Sequence, residues 1–199
     1  MAGKLGQRIA VDELTVVDDP TLPGKFGSYI YDDEGIRAKR VEIIRDGVLV
    51  NYLNDRETAQ YFDLEPNGHG RAQSYAHQPP LVRMGNTYVE AGDWSFEEML
   101  EEVKYGLYMI GDKGGQVDTA NGTFTFGAKE GYIIENGELR EMVRDVALSG
   151  KILDVLRGGI RAIGRDVRIE YPGYCGKGGQ TVPVDDGGPH ILTRPWWGD

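Results

Sequence analysis

Val41-Glu-Ile-Ile-Arg-Asp-Gly-Val-Leu-Val50 decides the fold. Two apolar, β-prone runs flank Arg45-Asp46-Gly47. Asp-Gly between β-formers is a hairpin signal, because both residues tolerate the positive φ that a two-residue turn needs. The pattern returns 90 residues later in Gly131-Tyr-Ile-Ile-Glu-Asn-Gly-Glu-Leu139, with Asn136-Gly137 at the turn. Ile43-Ile44 matches Ile133-Ile134, and Leu49 matches Leu139. Such a pair of hairpins suits one shared sheet or an old duplication, and two short matches do not establish a repeat.

Working outward, Leu14 to Val17 is a short β-prone run that Asp18-Asp19-Pro20 should stop, and Phe26 to Tyr31 reads as another strand, closed by Asp32-Asp-Glu-Gly35. The spacing predicts a helix over 95–107. Ser95 and Glu98 make a capping box, and Phe96, Met99, Leu100, Val103 and Leu107 share one face. A shorter helix is expected from Asp55, as N-cap, to Phe62. A third is expected over Lys151 to Arg157, capped by Ser149 and ended by Gly158-Gly159. Glu65 to Arg83, rich in Gly, Pro, His and Gln, reads as an irregular and therefore functional loop. No linker splits the chain, so the expectation is a single α+β domain over 1–199, dominated by antiparallel strands.

Composition sets limits on function. The 199 residues are 40% hydrophobic, enough for a core, and 29 scattered glycines fit a turn-rich β architecture. A net charge of -10 argues against nucleic acid and against an anionic membrane surface, both of which recruit Lys and Arg. No apolar run approaches a membrane span, and residues 1–8 do not read as a signal peptide. A single cysteine forms no internal disulfide, so a reducing, cytoplasmic compartment is expected.

Cys175 lies in Pro172-Gly-Tyr-Cys-Gly-Lys-Gly-Gly-Gln180. Gly176-Lys177 invites a phosphate-loop reading, but Tyr171 stands where a glycine is required and Gly178 where Ser or Thr is required. Thr181-Val-Pro-Val184, a strand, follows instead of a helix. Flanking glycines and Lys177 suit a thiolate that binds metal, whereas a small buried hydrophobe is the simpler reading of a lone cysteine. His69, His77 and His190 show no ligand spacing. Cys175 with His77 and His190 would have to converge in space to make a self-sufficient metal site, and His69 and His77 read as loop histidines bonded to backbone or water. Asp18-Asp19, Asp32-Asp33-Glu34 and Asp185-Asp186 read as solvated turns rather than hard-cation sites. The tail Arg194-Pro-Trp-Trp-Gly-Asp199 offers an aromatic contact surface or a docked end.

Taken in order, Val16-Val-Asp-Asp19, Tyr31-Asp-Asp-Glu-Gly35, Ile44-Arg-Asp-Gly-Val-Leu49, Gly70-Arg71 with Ser74-Tyr-Ala-His77, Arg83-Met-Gly-Asn-Thr-Tyr88, Gly115-Gln-Val-Asp118, Ile134-Glu-Asn-Gly137 and Cys175-Gly-Lys-Gly-Gly-Gln180 resemble the C-terminal half of the TldD/PmbA metalloprotease family, long labelled modulators of DNA gyrase. The resemblance implies a mainly antiparallel, barrel-like sheet domain. It also implies a zinc ion held by two histidines of a His-Glu-x-x-x-His helix and by the cysteine of a Cys-Gly-Lys-x-Gly-Gln loop. Cys175 matches that cysteine and places the chain on the TldD side. The helix, expected just before this sequence begins, has no substitute here, so stable zinc binding and hydrolysis are not expected of the chain alone. The family pattern further implies an N-terminal domain absent here and dimers with a TldD/PmbA-type subunit. Small or unfolded peptides would be the substrates, bound along a strand. A non-catalytic scaffold that pairs with a full-length relative is the alternative. The gyrase label gains nothing from an acidic chain.

Overall fold

The structure is a computed structural model, and it describes residues 2–76 and 79–194. Strands dominate and helices are short, and no helix among the described residues is long and apolar enough to cross a membrane. The chain divides into two compact units, each assembled from separated segments. One comprises Met1–Arg8, Leu14–Glu90 and Val167–Gly188, and the other comprises Ile9–Glu13, Ala91–Asp166 and Pro189–Asp199.

The first unit is built on the hairpin quoted at the outset. Val41–Arg45 pairs antiparallel with Val48–Leu49, and Asp46 (φ 48°) and Gly47 (φ 76°) both take the positive φ expected of the turn. The sheet runs, in spatial order, Arg168–Ile169, Gln180–Gly188, Asn86–Val89, Val16–Asp18, Val41–Arg45 and Val48–Leu49. Gly173–Lys177 adds a hairpin arm to Gln180–Gly188. All of these pairs are antiparallel except Asn86–Val89 with Gln180–Gly188, which is parallel. The sheet is open rather than closed into a barrel. Leu14, Val17, Val41, Ile44, Leu49, Val182 and Val184 form its apolar core.

Two expectations in this unit need revising. Phe26 to Tyr31 is not a strand; only Tyr31 makes an isolated bridge, to Arg37. Its backbone is held by single contacts instead, with Gly27 donating to Asn86 Oδ1 at 3.0 Å and Tyr29 donating to Pro20 O at 3.0 Å. A Cβ on Gly27 would lie 2.2 Å from Gly85 O, so the approach requires glycine. The acidic clusters are solvated only in part, with Asp33 and Asp186 exposed. Asp18, Asp19, Asp32 and Asp185 are all buried, each serving as an acceptor for backbone or side-chain donors. The helix Arg56–Phe62 is as expected, with Asp55 accepting from Thr58 N at 2.8 Å and Asp63 closing it in the left-handed conformation.

In the second unit Tyr105–Asp118 and Thr123–Glu135 form a long antiparallel pair, flanked by Ala147–Lys151 and Glu138–Val143 on Thr123–Glu135. Ile160–Ile163 pairs separately with Ile191–Thr193. The second predicted hairpin turn is present, with Asn136 at φ 50° and Gly137 at φ 78°. The two hairpins belong to different sheets, so they do not pair. The helix expected over 95–107 covers only Phe96–Glu101. Its capping box forms as expected, but Asn136 N and Gly137 N bond Lys104 O and Val103 O, and Tyr105 onward joins the ladder opposite Glu135. Long-range pairing overrides the helical spacing of Val103 and Leu107. Ser149 is no cap: it sits in a strand, where its hydroxyl meets Thr125 Oγ1 at 2.9 Å. The following turn is one α-turn over Ile152–Asp154 widened into a π-turn over Val155–Gly159.

Candidate functional site

Cys175 occupies the middle of Gly173–Lys177, opposite Val182. Gly178 (φ 58°) and Gly179 (φ 75°) turn the hairpin, again with positive φ at both positions. Cys175 is half-buried, and Arg83 lies against it. Arg83 is 1% exposed. Its Nε donates to Cys175 Sγ at 3.4 Å, and its Nη2 donates to Cys175 O and, at 3.2 Å, to Gln180 O. One guanidinium edge therefore grips both the sulfur and the carbonyl of the same residue. Nη1 is buried and has no hydrogen-bond partner among the described residues.

A buried scaffold of polar groups holds Arg83 in place. Its backbone N–H donates to His69 O at 2.9 Å. The His69 ring is wholly buried, with Nε2 at 3.0 Å from Asp18 Oδ1 and Nδ1 at 3.1 Å from Asn67 O and 3.0 Å from Asn67 Oδ1. Asp18 also accepts from Gly85 N (2.9 Å to Oδ2) and from Thr87 Oγ1 (2.6 Å). Asp18 and His69 thus bracket Arg83 by holding the residues after it and its own backbone. His69 lies in a loop and its ring meets a backbone carbonyl, as expected, but it is wholly buried and also meets Asp18, which local spacing does not announce.

Arg71 is the second buried cation of the unit. Its Nη1 donates to Met84 O (2.6 Å) and Pro183 O (2.8 Å), and its guanidinium lies 4.5 Å from the centre of the Tyr29 ring. Burial lowers the Arg71 pKa from its ordinary value, and burial pushes the Tyr29 phenol far above its usual range against the pull of Arg71. On the other side of the hairpin, Lys177 Nζ donates to Val82 O at 3.1 Å, so it braces the turn rather than the sulfur. Gln73 and Gln180 complete the seam. Gln73 N donates to Gln180 Oε1 at 3.1 Å, and Thr181 N donates to Gln73 Oε1 at 2.7 Å.

His77 lies outside the described residues, as do Pro195 to Asp199 of the aromatic tail. In the second unit, His190 has Asp166 Oδ2 2.6 Å from Nδ1 and Tyr108 Oη 2.7 Å from Nε2, with Phe96 stacked 4.5 Å away. Burial acts to raise the Asp166 pKa, but the backbone N–H and ring of His190 outweigh it and hold the carboxyl below its usual range. Among the described residues no three His, Cys, Asp or Glu side chains group in a way that could hold a metal ion. A cysteine sulfur is chemically able to serve as a zinc donor, which makes Cys175 a candidate for one ligand of a tetrahedral site. The described residues do not supply the rest.

The sequence profile described as the PmbA/TldA metallopeptidase C-terminal domain matches residues 1–195. A metalloprotease of Methanocaldococcus jannaschii is 50% identical over 190 residues, covering 96% of this chain and 41% of the relative. A zinc metalloprotease TldD homolog of Saccharolobus solfataricus is 40% identical over 189 residues, covering 94% of this chain and 42% of the relative. A crystal structure of a Thermotoga maritima protein named as a modulator of a DNA gyrase superposes with a TM-score of 0.75 at 30% identity, over 96% of this chain and 40% of that one. The chain spans about two fifths of the length of these relatives. It belongs to the PmbA/TldD metallopeptidase family and corresponds to that family's C-terminal domain.

Proposed function

We propose that this chain acts as the C-terminal domain of a TldD-type zinc metallopeptidase for small or unfolded peptides. It contributes Cys175 as one zinc ligand together with part of the peptide cleft, and is inactive without further donors. The observation that carries the reading is the hold of Arg83 on Cys175, which places a half-exposed sulfur on a rigid hairpin beside a fixed positive charge. A cysteine sulfur is a zinc donor, and the contact with Arg83 fixes where that sulfur lies. When bound, the zinc would activate water for peptide hydrolysis. This chain's own part is to hold the sulfur in place.

The remaining ligands and the general base come from outside the described residues, in a TldD/PmbA-type subunit or an N-terminal half, with a dimer as the working assembly. The relatives' names support zinc and proteolysis but concern proteins more than twice as long. The incomplete donor set also supports a second reading, a non-catalytic scaffold that pairs with a full-length relative. Mixing this chain with a metal-depleted TldD-type subunit separates the two. Recovery of peptide hydrolysis that is lost with Cys175→Ser supports the ligand role. Complex formation with no dependence on Cys175 supports the scaffold.

A further inference from the structure

Arg83 is a positive charge buried in this unit. A guanidinium stays protonated in proteins, and burying it calls for an anionic partner. Among the described residues no carboxylate pairs with Arg83. The buried acids of this unit have other partners: Asp18 accepts from Gly85 and Thr87 and meets His69, Asp19 accepts from Thr21, Asp32 from Gly70 N and Ile36 N, Asp55 from Thr58, and Asp185 from Phe26 N. Arg71, the other buried cation, adds charge of the same sign, and Arg83 in turn helps to lower the Arg71 pKa. The acceptors that Arg83 does have are two carbonyl oxygens and the sulfur of Cys175, while Nη1 has none among the described residues. Arg83 itself is buried, and the residue its guanidinium grips, Cys175, is half-buried, so Cys175 is the less enclosed member of the pair.

We propose that Arg83 makes the position beside Cys175 a carboxylate-selective subsite, one that draws a peptide carboxylate to the hairpin. The positive field is fixed by buried groups rather than by mobile surface lysines, so it costs no reorganisation when an anion arrives. A peptide seated here presents either its C-terminal carboxylate or an acidic side chain. The peptide identity of the ligand rests on the function proposed above; the charge selectivity does not.

Cys175 is the only cysteine in the sequence, so its alkylation reports on this position without ambiguity. The experiment compares the rates with iodoacetate, an anion, and iodoacetamide, a neutral analogue, using N-acetylcysteine amide as the free-thiol reference. Relative to that reference, the iodoacetate-to-iodoacetamide ratio is expected to be raised about tenfold in the wild type, retained in Arg83→Lys and lost in Arg83→Gln. Where Arg83→Gln fails to fold, salt takes its place, and about 1 M salt should return the wild-type ratio toward the reference. Protection from alkylation then names the source. Ac-Gly-Gly-Gly with a free C-terminus tests a chain-terminal carboxylate, amidated Ac-Gly-Asp-Gly tests a side chain, and amidated Ac-Gly-Gly-Gly is the neutral control. A wild-type ratio equal to the reference, a ratio indifferent to Arg83→Gln and to salt, or no greater protection by either charged peptide than by the neutral one overturns the subsite. Because no step requires zinc or hydrolysis, the peptidase reading can fail while charge selectivity stands, and the reverse.

Discussion

Arg83 and Cys175 are joined twice, by Nε to Sγ at 3.4 Å and by Nη2 to the carbonyl oxygen of the same residue. The pairing spans 92 residues of sequence and ties the segment after His69 to the hairpin turned by Gly178-Gly179. It gives a lone cysteine a fixed position and a charged neighbour, which an ordinary buried thiol does not require.

Removing the sulfur should cost function rather than fold. Cys175→Ser is nearly isosteric and half-buried, so its unfolding free energy in urea is expected to stay within about 1 kcal/mol of the wild type. A larger loss would make the cysteine a core packing residue and weaken its role as a ligand.

The Asp18–His69 pair should be a major structural element. Asp18→Ala leaves His69 Nε2, Gly85 N and Thr87 Oγ1 facing an empty buried space, and the expected cost is about 3 kcal/mol or more in equilibrium unfolding. Thr87→Val, which removes one of these partners, should cost about 1–2 kcal/mol. Similar values for the two variants would show that Asp18 does not anchor the network.

Gly27→Ala tests the backbone approach directly. The added Cβ would meet Gly85 O at 2.2 Å and Asn86 Oδ1 at 2.7 Å, and backbone cannot yield as a flexible side chain can. Destabilisation of about 1–3 kcal/mol is expected from denaturant unfolding. A neutral result would place this loop farther from Gly85 than described.

Acid should weaken the second unit through Asp166. Its carboxyl is held below the usual range in the folded state, so its contribution is fully present above the ordinary carboxylate pKa and is lost as pH falls through the lower folded value. The stability gap between wild type and Asp166→Asn should therefore be constant from neutral pH to about 5 and close below about 4. A gap that persists unchanged at low pH would assign the effect to packing instead.

The sequence revealed the local devices and concealed the long-range ones. Asp46-Gly47, Asn136-Gly137, Asp55 and the Ser95–Glu98 box act within a few residues of themselves, and each forms as its neighbours dictate. The helix over 95–107 was overestimated because Val103 and Leu107 fit a helical face, while the competing ladder to Thr123–Glu135 is not local. The buried aspartates looked like turns because Asp beside Pro or Gly is a turn signal, and their partners His69, Gly70, Gly85 and Thr87 lie far along the chain. At the site, the family pattern singled out Cys175. Arg83 stood in a quoted motif without a role, since a guanidinium 92 residues from its sulfur leaves no spacing to read.

The central claim is that this chain supplies one zinc ligand and not a whole site. Metal analysis of the purified chain after exposure to zinc and desalting, alongside an assay on an unfolded peptide and the Cys175→Ser variant, tests it most directly. The account predicts far less than one zinc per chain and no hydrolysis in either form. About one zinc per wild-type chain, lost in Cys175→Ser and accompanied by peptide cleavage, would contradict it.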